Sequence, residues 1–195
     1  MPKKALPEFR TTFGTYKATK IIGEGGADRV YSVADEDGDF FAVKLLDPAQ
    51  AQGRKLKRFK NEIFFCFQNR CRNILTVIDH GIYFEAGVSS PFYVMPLFDS
   101  SLRPLMKAGI KPGNVLPYFG QILDGVEAAH LLNVVHRDLK PENILFEKAR
   151  NTLVIADFRG EGGQIFILYF DGGFRRKVSY PCLRKVIFSR ILLPF

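Results

Sequence analysis

Cysteine is scarce in this chain: Cys66, Cys71 and Cys182 are the only three among 195 residues. An odd number without paired metal-ligand spacing argues against a disulfide framework and favours a reducing compartment. Long apolar runs are also missing. The stretch 165–170 is far too short to cross a bilayer, and the stretch 186–195 is interrupted by Arg190. The first residues, Met1-Pro2-Lys3-Lys4, lead to Pro7, Glu8 and Arg10 rather than to an apolar segment, so no secretory leader is expected. Neither internal repeats nor low-complexity segments are found. These absences leave a soluble, cytoplasmic protein without a membrane span as the expectation.

What is present suffices for a packed core. Hydrophobic residues make up 47% of the chain, and 195 residues suit one domain or two small lobes sharing a cleft. The formal charge of +8 brings nucleic acid or an anionic membrane into consideration, so its distribution matters. Most of the excess lies in residues 159–195, which hold seven Lys/Arg against two Asp/Glu, whereas residues 1–158 hold 21 against 18. A basic segment of this kind is more often a solvated face than a binding surface, and no nucleic-acid partner is expected.

Between Tyr16 and Leu46 the pattern is that of a twisted antiparallel sheet, with strands at 16–22, 29–35 and 40–46. Asp37-Gly38 sits between two apolar-rich runs and predicts a tight primed turn, because Gly accepts positive φ freely. Residues 55–69 carry Leu56, Phe59, Ile63 and Phe67 at three- and four-residue spacings, which predicts a helix packed on that sheet. Residues 74–78 and 91–97 read as two further strands, giving five strands and one helix before residue 98. Beyond Asp99 the character becomes helical, with Ser100 or Ser101 as N-cap and Pro104 in the first turn. A longer helix at about 114–132 places Leu116, Phe119, Leu123, Val126 and Ala129 on one side. The boundary between the two parts falls near residues 96–101.

Three features carry chemistry. The loop Gly23-Glu24-Gly25-Gly26-Ala27-Asp28-Arg29-Val30 lies between two predicted strands, where a hairpin free of bulky side chains lets backbone approach phosphates closely. Its strand-to-strand setting argues against a Walker loop or a dinucleotide fingerprint, since both need a helix directly after the glycines. Lys44 then ends the apolar strand Phe41-Ala42-Val43-Lys44, and an inward-facing ammonium needs an anionic partner. Glu62, in the middle of the amphipathic helix, is the natural candidate. Either residue alone reads equally well as a solvated side chain.

The decisive segment is His136-Arg137-Asp138-Leu139-Lys140-Pro141-Glu142-Asn143, followed by the apolar run Ile144-Leu145-Phe146. With it the chain resembles the eukaryotic-type serine/threonine protein kinases over about residues 13–158. The weaker features fall into that family's order, from Gly23 through Lys44, Glu62, Asp138 and Asn143 to Asp157-Phe158. Lys140, two positions after Asp138, is the residue that serine/threonine kinases usually have there.

The resemblance implies an α+β, bilobal fold, with a five-stranded antiparallel N-lobe and one helix over 13–98 and an incomplete, mainly helical C-lobe over 99–158. It implies ATP as substrate, Mg²⁺ or Mn²⁺ as metal, and Ser/Thr hydroxyls of proteins as phosphoryl acceptors. Asn143 and Asp157 are then the metal ligands, Lys44 orients the α- and β-phosphates with Glu62 as its partner, Lys140 neutralises the transferring group and Asp138 accepts the hydroxyl proton. The nucleotide site implied comprises Ile22, Gly23, Glu24, Gly25, Gly26, Val30, Ala42, Lys44, Met95, Pro96, Phe98 and Leu145. Met95 is the gatekeeper, the Pro96 carbonyl and the Phe98 N–H face adenine, and Val30, Ala42 and Leu145 sandwich the ring. Only a carbonyl is asked of Pro96, so its missing N–H costs nothing there.

The sequence departs from the family at three places. Asp28 stands at the third loop glycine and brings a carboxylate near the expected phosphates. Arg159 follows Asp157-Phe158 where the family has glycine. After Arg159 no Ala-Pro-Glu segment and no further long amphipathic helix can be read, so residues 159–195 are expected to be a shifted frame or a decayed end. A kinase-like protein that binds nucleotide or a partner without turnover is the alternative function, and a nucleic-acid or membrane-surface binder using the basic tail is the third. The oligomeric state is not readable.

Overall fold

The structure, a computed structural model, describes residues 6–85 and 87–158. Arg159, Cys182 and the expectations attached to the basic segment 159–195 lie outside the described residues.

Six antiparallel strands form the larger sheet: β1 (Glu8–Arg10), β2 (Thr15–Glu24), β3 (Asp28–Ala34), β4 (Phe40–Leu46), β5 (Asp79–Glu85) and β6 (Val88–Pro96), in the order β1-β2-β3-β4-β6-β5. The expected count of five was one short, because β1 lies ahead of residue 13, where the sheet was expected to begin. Residues 74–78 are a second correction: they form no strand. Their backbone bonds are dispersed instead, with the Leu75 N–H donating to Ile155, Val77 to Cys66 and Ile78 to Val94, so no single neighbour builds a ladder. The fifth strand is β5, whose alternating exposure identifies it as an edge. β1 also lies against β5, so the sheet curls until its first and last strands touch, and the Thr11 hydroxyl donates to the Asp79 carboxylate across that seam.

The turn between β3 and β4 is longer than the two-residue primed turn expected. Gly38 alone is left-handed, at φ 88°, while the Asp35 carboxylate accepts from the Asp37 and Asp39 N–H groups. Asp35 thus closes the loop with its own side chain, an Asx arrangement that competes well with the tighter turn.

Side-chain alternation gives this sheet two different faces. One face gathers Phe9, Tyr31, Val33, Val43, Leu45, Phe92 and Val94 into an aromatic-rich cluster, with Phe9 stacked 5.0–5.5 Å from Phe92, Tyr83 and Tyr31. The other presents Ala42, Leu46, Tyr93 and Met95 to the main core, together with the charged Lys44. The helix α1 (Gly53–Gln68) covers this second face and buries Phe59, Glu62, Phe65 and Cys66. Phe67, expected on its buried stripe, is 46% exposed and packs edge-on against His80 instead.

Past Pro96 the chain leaves the large sheet and builds a smaller one from β7 (Ser100–Ser101), β8 (Ile144–Glu147) and β9 (Thr152–Ile155). The helices α2 (Leu102–Ala108) and α3 (Pro112–Leu131) pack beside it, with Ser101 as N-cap of α2 and Pro104 in its first turn. The buried stripe of α3 is Tyr118, Ile122, Gly125, Val126 and Ala129, and Leu116, expected inside, is 76% exposed. The reason is a close backbone approach. A Cβ at Gly125 would sit 2.7 Å from the Asn73 carbonyl oxygen, so the glycine fixes which side of α3 meets the core. No helix among the described residues is long and apolar enough to cross a membrane.

Candidate active site

Lys44 projects from β4 into the space between the sheet and β9, where it is almost wholly buried. Its ammonium donates to both oxygens of Glu62 at 3.1 Å and to Asp157 Oδ1 at 3.0 Å. Glu62 is held in turn by the Tyr93 hydroxyl, which donates to Oε1 at 3.0 Å. Tyr93 is the cross-strand partner of Lys44, so strand register alone brings the phenol to the ion pair. A fourth ion lies close by: Asp28 Oδ2 is 3.8 Å from the ammonium.

Three carboxylates therefore share one ammonium. Burial by itself would push Lys44 down, yet Glu62 first, then Tyr93, Asp157 and Asp28, hold it well above its ordinary value. Burial also pushes Glu62 up, and Lys44 only partly offsets this while Asp157 adds to it. The two shifts have one origin. In a buried cluster with excess negative charge, a proton on any member is favoured, and burial with the Glu62 charge raises Tyr93 as well.

The segment 136–143 packs against residues 156–158, on either side of Asp157 in the chain. The His136 imidazole bonds the Ala156 carbonyl through Nε2 at 2.7 Å, and its ring lies 4.6 Å from that of Phe158. Phe158 in turn meets Phe65 of α1 at 4.6 Å. These three rings tie α1, the end of β9 and the loop into one packed column. Arg137 and Asp157 both adopt left-handed backbone, at φ 66° and 61°. Such conformers are uncommon for residues with a Cβ and concentrate at functional sites.

Within the loop, Lys140 Nζ lies 3.0 Å from Asp138 Oδ2. Asn143 donates through Nδ2 to the Asp138 carbonyl at 2.8 Å and more weakly to Asp138 Oδ2 at 3.3 Å. With the nitrogen end so engaged, the oxygen end of Asn143 is an acceptor. The Ala156 N–H donates to the Asn143 carbonyl at 2.9 Å, which brings the segments carrying Asn143 and Asp157 together. Hard oxygen donors from one carboxamide and one carboxylate suit a divalent cation that keeps water or phosphate as its other ligands. Among the described residues no group of three His, Cys, Asp or Glu forms a closed metal cage.

A model of the protein kinase domain matches residues 16–161. The chain belongs to the protein kinase family. Its relatives include the CBL-interacting serine/threonine-protein kinase 9 of Arabidopsis thaliana, 29% identical over 80% of this chain and 35% of that protein. The serine/threonine-protein kinase PknD of Mycobacterium tuberculosis is 31% identical over 72% of this chain and 21% of its own length. The probable serine/threonine-protein kinase SCO3848 of Streptomyces coelicolor is 32% identical over 73% and 22%. The chain thus spans about a third or less of the length of these relatives. Kinases of this family use ATP and a divalent metal.

The remaining residues expected in this kinase domain's nucleotide site come mostly from the large sheet, with Phe98 just past β6 and Leu145 from β8 of the smaller one. Val30 pairs with Lys44 and Ala42 with Met95, so β3, β4 and β6 present these side chains in neighbouring rows. Ala42 and Met95 are buried, Val30, Phe98 and Leu145 are half-buried against the same core, and Pro96 ends β6 exposed. Ile22 is 44% exposed, and Gly23 pairs with Val30 across β2 and β3, where a Cβ on the glycine would lie 3.5 Å from the Val30 side chain. Gly26 faces open space and Glu24 pairs outward with Arg29 at 3.0 Å. Sequence reasoning missed Tyr93, Phe65 and the reach of Asp28 to Lys44. Tyr93 hides in a strand buried on both faces, where no alternation marks it out.

Proposed function

We propose that this chain binds Mg-ATP in the cleft between its two sheets and transfers the γ-phosphoryl group to Ser/Thr hydroxyls of proteins. The observation that carries the reading is Lys44, whose ammonium bridges Glu62 and Asp157 at 3.0–3.1 Å although these lie 18 and 113 residues away. Phosphoryl transfer needs mainly positioning and positive charge, and a lysine held in one place by two carboxylates supports that use. In this reading Asn143 and Asp157 hold the metal, which neutralises charge on the phosphates. Asp138, set beside Lys140, orients and accepts the proton of the acceptor hydroxyl, while Lys140 offsets charge on the group in transit. Ile22, Gly23, Glu24, Gly25, Gly26, Val30, Ala42, Met95, Pro96, Phe98 and Leu145 enclose the nucleotide.

The lobes in this proposal are residues 13–98, extended by β1, and 99–158. The free thiols Cys66 and Cys71 support a reducing, cytoplasmic setting. Transfer of label from radioactive ATP to generic acidic and basic protein substrates tests the activity, with Asp138→Asn as control. Label on serine or threonine that disappears in the variant is expected, and absence of transfer by the unaltered chain overturns turnover. The Asp28 carboxylate beside Lys44 favours a second reading, nucleotide binding without turnover. There Mg-ATP raises the melting temperature, and Lys44→Ala abolishes the rise, while no label is transferred.

A further inference from the structure

Asp28 does more than stand near the expected phosphates. On β3 it is two residues from Val30 and shares its face, and Val30 is the direct partner of Lys44, so Asp28 is the diagonal neighbour of the lysine. Its carboxylate spans the gap beneath the glycine loop. Oδ2 lies 3.8 Å from the Lys44 ammonium, and Oδ1 lies only 2.9 Å from where a Cβ on Gly25 would be. The loop is closed on it by the Gly25 N–H, which donates to the Asp28 carbonyl at 2.9 Å.

An anionic group with one oxygen against the loop and the other facing Lys44 occupies the interval that a nucleotide phosphate has to enter. We infer that Asp28 is an internal competitor for the phosphates, so that this site discriminates against nucleotides according to their negative charge. The inference rests on the nucleotide-binding reading above. Physically, Lys44 already faces Glu62 and Asp157, and a third carboxylate leaves the cluster more negative before any nucleotide arrives. Entry of a triphosphate then requires Asp28 to swing out or accept like-charge contact. The Asp28 side chain is 27% exposed, and a Cβ on Gly26 at the loop tip would meet nothing within 4 Å, so the carboxylate borders solvent and the loop tip is uncrowded.

Calorimetric titration of the full chain with adenosine, Mg-ADP and Mg-ATP tests this, using Asp28→Asn, which removes charge at constant size, and Asp28→Gly. Both variants are expected to bind Mg-ATP about tenfold tighter, the scale of one unit-charge contact at a partly screened site, with adenosine affinity unchanged. Unchanged Mg-ATP affinity in Asp28→Asn overturns the inference, as does weaker binding, which would make Asp28 an aid to the metal. Tighter binding in Asp28→Gly alone also overturns it, because loop freedom and not charge would then be responsible. If neither the unaltered chain nor any variant binds adenosine or Mg-ATP, the nucleotide reading itself falls and takes this inference with it.

Discussion

Lys44 meets three carboxylates with its side chain 8% exposed, whereas Lys140 meets one, Asp138, with its side chain 42% exposed. The two lysines belong to separate clusters, and these obey different physics. Around Lys44 water is largely excluded, and losing the ammonium leaves the Glu62 carboxylate buried and uncompensated. Around Asp138 water screens the pair, so the same loss is nearly neutral for folding. The first cluster is part of the core and the second is half-exposed at its margin.

Lys44→Ala should expose this contrast most strongly, destabilising the chain by about 3–5 kcal/mol, because it removes the one cation shared by Glu62, Asp157 and Asp28 and so breaks a buried ion pair from one side. Urea unfolding measures it, and a loss below about 1 kcal/mol would place the Lys44 cluster in the solvent-screened class. Phe158→Ala removes the ring between Phe65 and His136 and should cost about 3 kcal/mol, again read by urea unfolding.

A smaller effect is expected from pH. Lys44 is raised above its ordinary 10.5 and Tyr93 above its ordinary 10.0, so each favours the protonated, folded state. Their contribution is fully present below pH 10.0 and is lost as pH rises past these values, because the unfolded chain deprotonates first. Unfolding midpoints should therefore fall on the alkaline side, and less steeply in Tyr93→Phe. Smallest of all on stability are Asp138→Asn and Lys140→Ala, each within about 1 kcal/mol of the unaltered chain. For Asp138→Asn that small change should accompany loss of phosphoryl transfer by at least about a hundredfold in a label-transfer assay, separating chemistry from folding.

The parts that were legible in the sequence are those in which local spacing is itself the signal. The loop 136–143 carries its members within eight positions, Lys44 interrupts an otherwise apolar strand, and Glu62 sits on a helix with a clear apolar period. The helices α1 and α3 were placed within about two residues and the start of α2 at its N-cap, as caps and apolar spacing allow. Where the reading failed, a tertiary contact had overruled a local pattern. The apolar run 74–78 resembled a strand, but its backbone serves three separate neighbours. Leu116 fitted a helical stripe, but the Gly125 contact with Asn73 turns α3 so that Leu116 faces outward. The edge strand β5 was missed because Asp79, His80 and Gly81 interrupt its apolar character.

By itself the sequence determined the family and the order of its motif residues, since motif identity and spacing survive in one dimension. It also marked Asp28 as foreign to a glycine loop. Only the tertiary structure decided how charge is shared. That Asp28, Glu62 and Asp157 converge on a single ammonium depends on strand register and on contacts spanning up to 113 residues, and electrostatic energy depends on distance and burial, neither of which a linear order of letters contains.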